Sequence, residues 1–398
     1  VNLASPSLAR LAYAFAALAR RKEKAFALGI GLALTVALLA AVLFLSDALR
    51  TEAERASLAT PDLVVQELVG GRPGLVSAAD ADRIRGLPSA GKITPRVWGY
   101  VFLPAIQGNA TVVGVAEDAP PLGEIPQGAL ASGRALGPPS ASPHEMLMGA
   151  GLAHELGLEV GDALALPAPQ VRPLTLVGTF SSSLDLFTAD VVLCREADAR
   201  ALLGIPDGQA TDLAVQVLNP AEAHVLGRTI AARLAASSPR IVERSLLGRV
   251  YALSYGRRSG LILAAAVPAL FALLVLAWDR ASGLAADERR EIAILKAVGW
   301  STGDVLWSKM YEALLVASVG TAVGLALAYA WVFLLGAPGL RAALVGWSTV
   351  YPTHPLTPAV DVTQLVAVSL AVVGPFVGLS IVPAWRAATI DPAHAMRT

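Results

Sequence analysis

The sequence predicts an α-helical membrane protein with four transmembrane helices and a large extracytoplasmic α+β domain inserted between spans one and two. Three observations carry this. Four apolar runs, 25–46, 259–278, 309–340 and 362–385, reach the roughly 20 residues needed to cross a bilayer. The stretch between the first two, 47–258, is long enough to fold as a domain of its own. Lys and Arg gather beside particular ends of the spans. Composition agrees: 55% of the 398 residues are hydrophobic, 16% are charged, and the mean hydropathy is +0.59. Soluble domains run at about 45–50% apolar and about 25% charged, so the surplus belongs to spans rather than to a larger core. Lys+Arg and Asp+Glu both total 31, so overall charge says nothing about nucleic acid or acidic substrates; no nucleic-acid partner is expected.

Residues 1–24 open with Ser5-Pro6-Ser7, a helix start, and close on the basic cluster Arg20, Arg21, Lys22 and Lys24. This predicts an amphipathic helix along the cytoplasmic membrane face, with lipids as its partner. A signal-peptide start competes, but the charge-free run Ala25–Ser46 exceeds the roughly 7–15 residues of a signal h-region, so 25–46 is read as a retained anchor. Ser259–Trp278 and Ala313–Leu340 are equally free of charge, and Val362–Trp385 contains Gly374-Pro375, which is expected to kink it. The absence of Asp, Glu, Lys and Arg inside these runs argues against an ion or proton relay.

Orientation follows the basic residues. The flank before span one, the loop 279–308 with Arg280, Arg289, Arg290 and Lys296, and the tail 386–398 with Arg386 and Arg397 are placed in the cytoplasm. The loop 341–361, with one Arg and three prolines, is placed outside. Arg257 and Arg258 run against the rule, but a long domain is translocated largely regardless of such charges. Small residues offer close packing between protomers: Gly29, Gly31, Ala33 and Ala37 in span one, and Gly320, Ala322 and Gly324 in span three.

Within 47–258, Asp47–Ala59 and Ser245–Tyr255 have helical composition and are expected to extend spans one and two outward as a stalk. Strands are predicted over Asp62–Leu68, Thr94–Leu103, Ala110–Val115 and Asp212–Leu218, and helices over Ala78–Gly86 and Ala221–Ala236. That order predicts a split α+β lobe of ferredoxin-like type. A second, mainly β lobe is expected to be inserted in it from Glu117 to Leu203.

The sequence yields no catalytic, cofactor-binding or metal-binding residues. No GxxxxGK[ST] loop occurs, so ATP is not expected to bind here by that device. Gly70-Gly71-Arg72-Pro73-Gly74 lacks the Lys-Ser/Thr of a phosphate loop and is read as a turn. The five histidines are scattered, and His154-Glu155 has no second His at metal-site spacing. Ser181-Ser182-Ser183 with Asp185 lacks a GxSxG elbow. The single Cys194 excludes an internal disulfide and is read as a buried thiol.

The most informative stretch is Asp287 to Trp300, in the loop between spans two and three. With no Gly or Pro before Gly299 it predicts a short helix, with Gly299 at its C-cap and Ser301 or Thr302 capping the next. On a helical wheel Arg289, Ala293 and Lys296 share one face and Ile294, Leu295 and Val298 the opposite one. Such a helix is either a handle for a soluble partner or an ordinary solvated loop, and spacing alone leaves both open.

Here the chain resembles a family. The stretch Glu288 to Gly299 is similar, with one residue fewer between Arg289 and Glu291, to the E-R-x-x-E-I-x-x-L-x-A-x-G signature of the FtsX superfamily, the MacB-like and LolC-like permeases of the type VII ABC transporters. The tail Pro383 to Arg397 is similar to its P-A-x-R-A-A-x-x-D-P-x-x-A-L-R, with Met396 at the usual Leu. Met148 to Leu158 with Val160-Gly161-Asp162 looks like its outer-domain G-x-x-L-A-x-x-L-G-L…G-D run.

The resemblance implies a MacB-like periplasmic core domain on a multi-pass protein of the bacterial cytoplasmic (inner) membrane. It implies a non-catalytic subunit that pairs with a second permease protomer, identical or sister, on two ABC ATPase subunits. ATP and Mg would be bound by that partner, a separate chain, with no cofactor here. Glu288, Arg289, Arg290, Glu291, Ile292, Leu295, Lys296 and Gly299 would form the ATPase-coupling helix. ATP-driven closure would then move the stalk and outer domain (mechanotransmission), serving lipoprotein or amphiphile trafficking or efflux with a lipoprotein, outer-membrane or periplasmic partner. The alternative is an FtsX-like signalling scaffold that switches an extracytoplasmic hydrolase or sensor without transport.

Overall fold

The computed structural model of the chain describes residues 6–120, 127–138, 144–166, 172–181, 188–246, 286–345 and 360–389, with isolated positions at 122–123, 125, 260, 262, 264, 267–268, 271, 275, 356 and 358. Most of the predicted second span 259–278, the stalk residues 247–255, the serines 182–183 with Asp185, and the end of the tail lie outside the described residues.

In chain order, helices α1 (Pro6–Arg20) and α2 (Lys22–Ala59) lead to β1 (Leu63–Val69), β2 (Arg72–Gly74), β3 (Val76–Ser77) and α3 (Asp80–Ile84). Strands β4 (Ala90–Arg96), β5 (Trp98–Leu103), β6 (Gly108–Val115), β7 (Leu130–Gly133) and β8 (Glu145–Gly149) precede α4 (Ala150–Leu156). Then come β9 (Ala163–Leu164), β10 (Leu174–Phe180), β11 (Val191–Arg195), α5 (Glu196–Leu203), β12 (Gln209–Ala210), β13 (Asp212–Val217), α6 (Ala223–Arg233) and β14 (Pro239–Glu243). The remaining helices are α7 (Ala286–Ala297), α8 (Thr302–Tyr329), α9 (Leu340–Val345) and α10 (Val362–Ala388). Two compact units result: 49–255 with 345–357, and 1–48 with 256–344 and 358–398.

Among the described residues, the first unit holds two large sheets and a short two-stranded one that pairs β3 with β12. One has the order β14-β1-β13-β4, antiparallel throughout, with β2 turned back on β1 through Gly70 and Gly71. Both glycines have positive φ (57° and 79°), as a two-residue hairpin turn needs. Leu63, Val65, Leu213 and Val215 of this sheet pack with Ile84 of α3 and Leu226 and Ile230 of α6. The strand–helix–strand, strand–helix–strand order is ferredoxin-like.

The other sheet has the order β5-β6-β11-β8-β10-β7, mixed in direction, with β9 added to β10. It is covered on both faces: Met146, Met148, Val192 and Cys194 enter one core, and Leu147, Leu193 and Phe180 the other. That accounts for β8 and β11 being buried at every position.

The insertion begins earlier than the expected Glu117. The predicted strand Thr94–Leu103 is two strands, β4 in the first sheet and β5 in the second, and the chain changes sheet at Val97. Asp212 fixes the crossing. Arg96 Nε and Nη2 donate to its carboxylate at 2.8 and 2.9 Å, and Trp98 Nε1 donates at 2.9 Å. Val97 itself is buried, and its carbonyl accepts from Gly114 N at 2.8 Å in the second sheet.

Among the described residues, three helices are long and apolar enough to cross a membrane, Ala25–Glu52, Thr302–Leu334 and Val362–Arg386. The first is part of α2, which runs unbroken from Lys22 to Ala59. α10 continues through Pro375 and Pro383. The buried face of α8 repeats at helical spacing through Val305, Ser308, Ala317, Gly320, Thr321, Gly324 and Ala328. A Cβ on Gly320 would lie 3.0 Å from Leu32 Cβ, and one on Gly324 would lie 2.7 Å from the Ala33 carbonyl oxygen. Gly320-x-x-x-Gly324 therefore serves packing of α8 on α2 within one chain, not the protomer–protomer contact its spacing proposes.

Candidate functional site

The helix singled out by its charge pattern is α7. It ends in a Schellman motif: Trp300 N donates to Leu295 O at 3.1 Å and Gly299 N to Lys296 O at 3.0 Å, with Gly299 at φ 105°. The next helix starts at once with a capping box, in which Ser301 Oγ accepts from Asp304 N at 3.2 Å and Asp304 Oδ2 accepts from Ser301 N at 2.9 Å. Ile292, Val305 and the partly buried Trp300 close the angle between the helices. The corner is thus fixed by local bonds on both sides of Gly299.

Burial picks out one side of the helix. Ile292 and Ala293 face inward, while Arg290, Ile294, Ala297 and Val298 face outward, Ile294 at 51% and Val298 at 77% exposure. Leu295 and Lys296 are intermediate, and the side chains of Glu288 and Arg289 lie outside the described residues. α1, far away in sequence, packs on α8 beside the corner.

Glu291 marks the junction with α1. Its Oε1 accepts from the Tyr13 hydroxyl and from Arg20 Nη2, both at 2.5 Å, and Arg21 pairs with Oε2. Burial alone would raise the Glu291 carboxyl. The Tyr13 hydrogen bond and the charges of Arg21, Arg20 and Lys309 outweigh it and hold the group below the usual carboxylate range. Burial, with the hydrogen bond to Glu291 next, pushes the Tyr13 phenol up, so it stays a donor. The Tyr13 and Trp300 rings lie 5.1 Å apart, and Arg10 meets Asp304 Oδ1 at 2.5 Å. The spacing of Arg10, Tyr13, Ala17 and Arg20 along one helix face was the sequence signal for this junction.

A residue pattern of this kind invites comparison with known families. A family model described as the MacB-like periplasmic core domain matches residues 25–227, more than half of the chain, and one described as the FtsX-like permease C-terminal matches 262–392. The chain belongs to the MacB- and FtsX-like permeases of the type VII ABC transporters. It is a membrane protein with an extracytoplasmic domain. The permease is also similar to the extracellular domain of the noncanonic ABC-type transporter YknZ from Gram-positive bacteria, at a TM-score of 0.33 and 10% identity, over 46% of this chain and 99% of that one. No curated protein matches its sequence.

The permease's outer-domain motif has a structural explanation. A Cβ on Gly149 would come within 2.4 Å of the Ala189 carbonyl oxygen, and Leu152, Leu156 and Leu158 fill the core beside it. His154 and Glu155 are exposed on α4. Cys194 is wholly buried, and burial followed by the nearby Asp198 charge pushes its thiol up. A cleft beside α5 is lined by His144, Arg195, Asp198 and Arg200, among others. These groups engage one another and the backbone: His144 Nδ1 lies 2.8 Å from Asp198 Oδ1, Arg200 pairs with Glu196 at 2.7 Å and reaches the Gln209 carbonyl at 2.7 Å, and Arg195 reaches the Gly137 carbonyl.

Proposed function

We propose that the permease is the membrane subunit of an ABC transporter in which a partner ATPase, on a separate chain, drives its extracytoplasmic domain through α7. Four spans, cytoplasmic termini, the inner membrane of a bacterium and a dimer of permease protomers on two ATPase copies complete this reading. The single observation that carries it is the corner at Gly299. A short helix whose end is fixed by a Schellman motif and a capping box presents Arg290, Ile294 and Val298 outward. Apolar side chains at these exposures on a charged helix suit a protein partner. Ile292 and Gly299, part of the same signature, then shape the helix rather than touch the partner. Mechanotransmission is supported by the unbroken α2, which continues from the span into the segment 47–59.

The cargo class in this reading is a lipoprotein or another amphiphile of the outer leaflet or periplasm. The test is co-expression of the permease with its candidate ATPase, purification in detergent, and assay of ATP hydrolysis. The ATPase is expected to co-purify, and the permease alone is expected to consume no nucleotide. Hydrolysis by the permease alone would overturn the reading. Capture of an extracytoplasmic hydrolase in place of cargo would favour the signalling role.

A further inference from the structure

The sequence places Arg20 and Arg21 at the basic end of a helix lying along the membrane face, yet both converge with Tyr13 on one carboxylate, that of Glu291. A single exposed ion pair holds two helices weakly. Here three donors share one acceptor, a second pair joins Arg10 to Asp304 across the corner, and Tyr13 lies against Trp300. Ala14 and Ala17, both buried, let α1 approach closely between these contacts. The opposite face of α1 shows Leu11 and Phe15, exposed and apolar. Only Arg21 separates the end of α1 at Arg20 from the start of α2 at Lys22.

We propose that Glu291 is a positioning residue that fastens α1 to α7, so that a displacement of α7 reaches α2 through α1 and Arg21 in addition to the path through α8. The ATPase contact is then left to Arg290, Ile294 and Val298. Only this second part rests on the proposed function.

The experiment uses full-length permease in lipid nanodiscs with spin labels at Phe15→Cys and Ala297→Cys. The native thiol, Cys194, is buried and does not compete. One narrow distance is expected. Glu291→Ala should broaden it, and Glu291→Gln, which keeps an acceptor for Tyr13, should fall between. Adding Tyr13→Phe to Glu291→Ala should broaden it no further, and thermal unfolding checks that each variant is folded.

With the ATPase bound, Glu291→Ala should leave its Kd unchanged but reduce the ATP-dependent change in mobility of a label at Leu34 on α2. Val298→Asp should raise the Kd and leave the α1–α7 distance narrow. A distance that stays narrow in Glu291→Ala overturns the fastening. A Kd raised by Glu291→Ala as much as by Val298→Asp makes Glu291 a partner contact instead. If no ATPase binds the unmodified permease, the proposed function fails, and the distance measurement still decides the fastening.

Discussion

The Tyr13 hydroxyl donates to Glu291 Oε1 at 2.5 Å, joining two residues 278 positions apart in the sequence. This bond places the first helix of the chain on the helix that carries the family signature, and it makes the neighbourhood of Glu291 sensitive to acid.

The sign of that sensitivity follows from the Glu291 carboxyl, which burial raises but which Tyr13, Arg21, Arg20 and Lys309 together hold below its usual range. A carboxylate held below its unfolded value of about 4.3 contributes stability above that value and loses it as pH falls through the folded one. Amide hydrogen exchange over residues 6–20, corrected for intrinsic rates, should therefore stay slow at about pH 5 and quicken by about pH 3. Glu291→Gln should weaken this dependence.

Gly324→Leu should disrupt the α2–α8 contact, since even a Cβ there meets the Ala33 carbonyl oxygen at 2.7 Å. Overpacking of this sort costs about 1–3 kcal/mol or more. A lowered melting temperature of the detergent-solubilised permease is the expected result. An unchanged melting temperature with loss of dimer would return these glycines to the protomer interface.

Asp212→Ala should destabilise the outer domain by about 3–5 kcal/mol, because it removes the buried carboxylate that pairs with Arg96 and accepts from the Trp98 indole. Denaturant unfolding followed by tryptophan fluorescence measures it. Both lobes should loosen together, since Arg96 and Trp98 belong to different sheets.

Ser301→Ala removes one half of the capping box and should cost about 1 kcal/mol. Its effect should appear as faster exchange in the first turn of α8. Coupled ATPase activity is expected to fall with it if the corner must be stiff.

What the sequence made legible was local. The helix 286–297, its Gly299 stop and its Ser301 restart are written in neighbouring residues, and capping is a neighbour-to-neighbour interaction. Which side of that helix is buried was not legible, because Tyr13, Arg20 and Arg21 decide it from the other end of the chain. The same holds at Val97. Nothing between Thr94 and Leu103 breaks the strand pattern except Pro95 and Gly99, and the change of sheet is set by Asp212, more than a hundred residues later. The small-residue stripe on α8 could be read, but its partner could not, because Gly320 and Gly324 fit any close helix equally well.

The central claim is that the outward face of α7 receives an ATPase. Photo-cross-linking from residue 298 in native membranes tests it most directly. The account predicts a cross-link to an ATPase subunit that disappears when Arg290 and Ile294 are both replaced by Asp. A cross-link to an extracytoplasmic protein, or none while the ATPase still co-purifies, would contradict it.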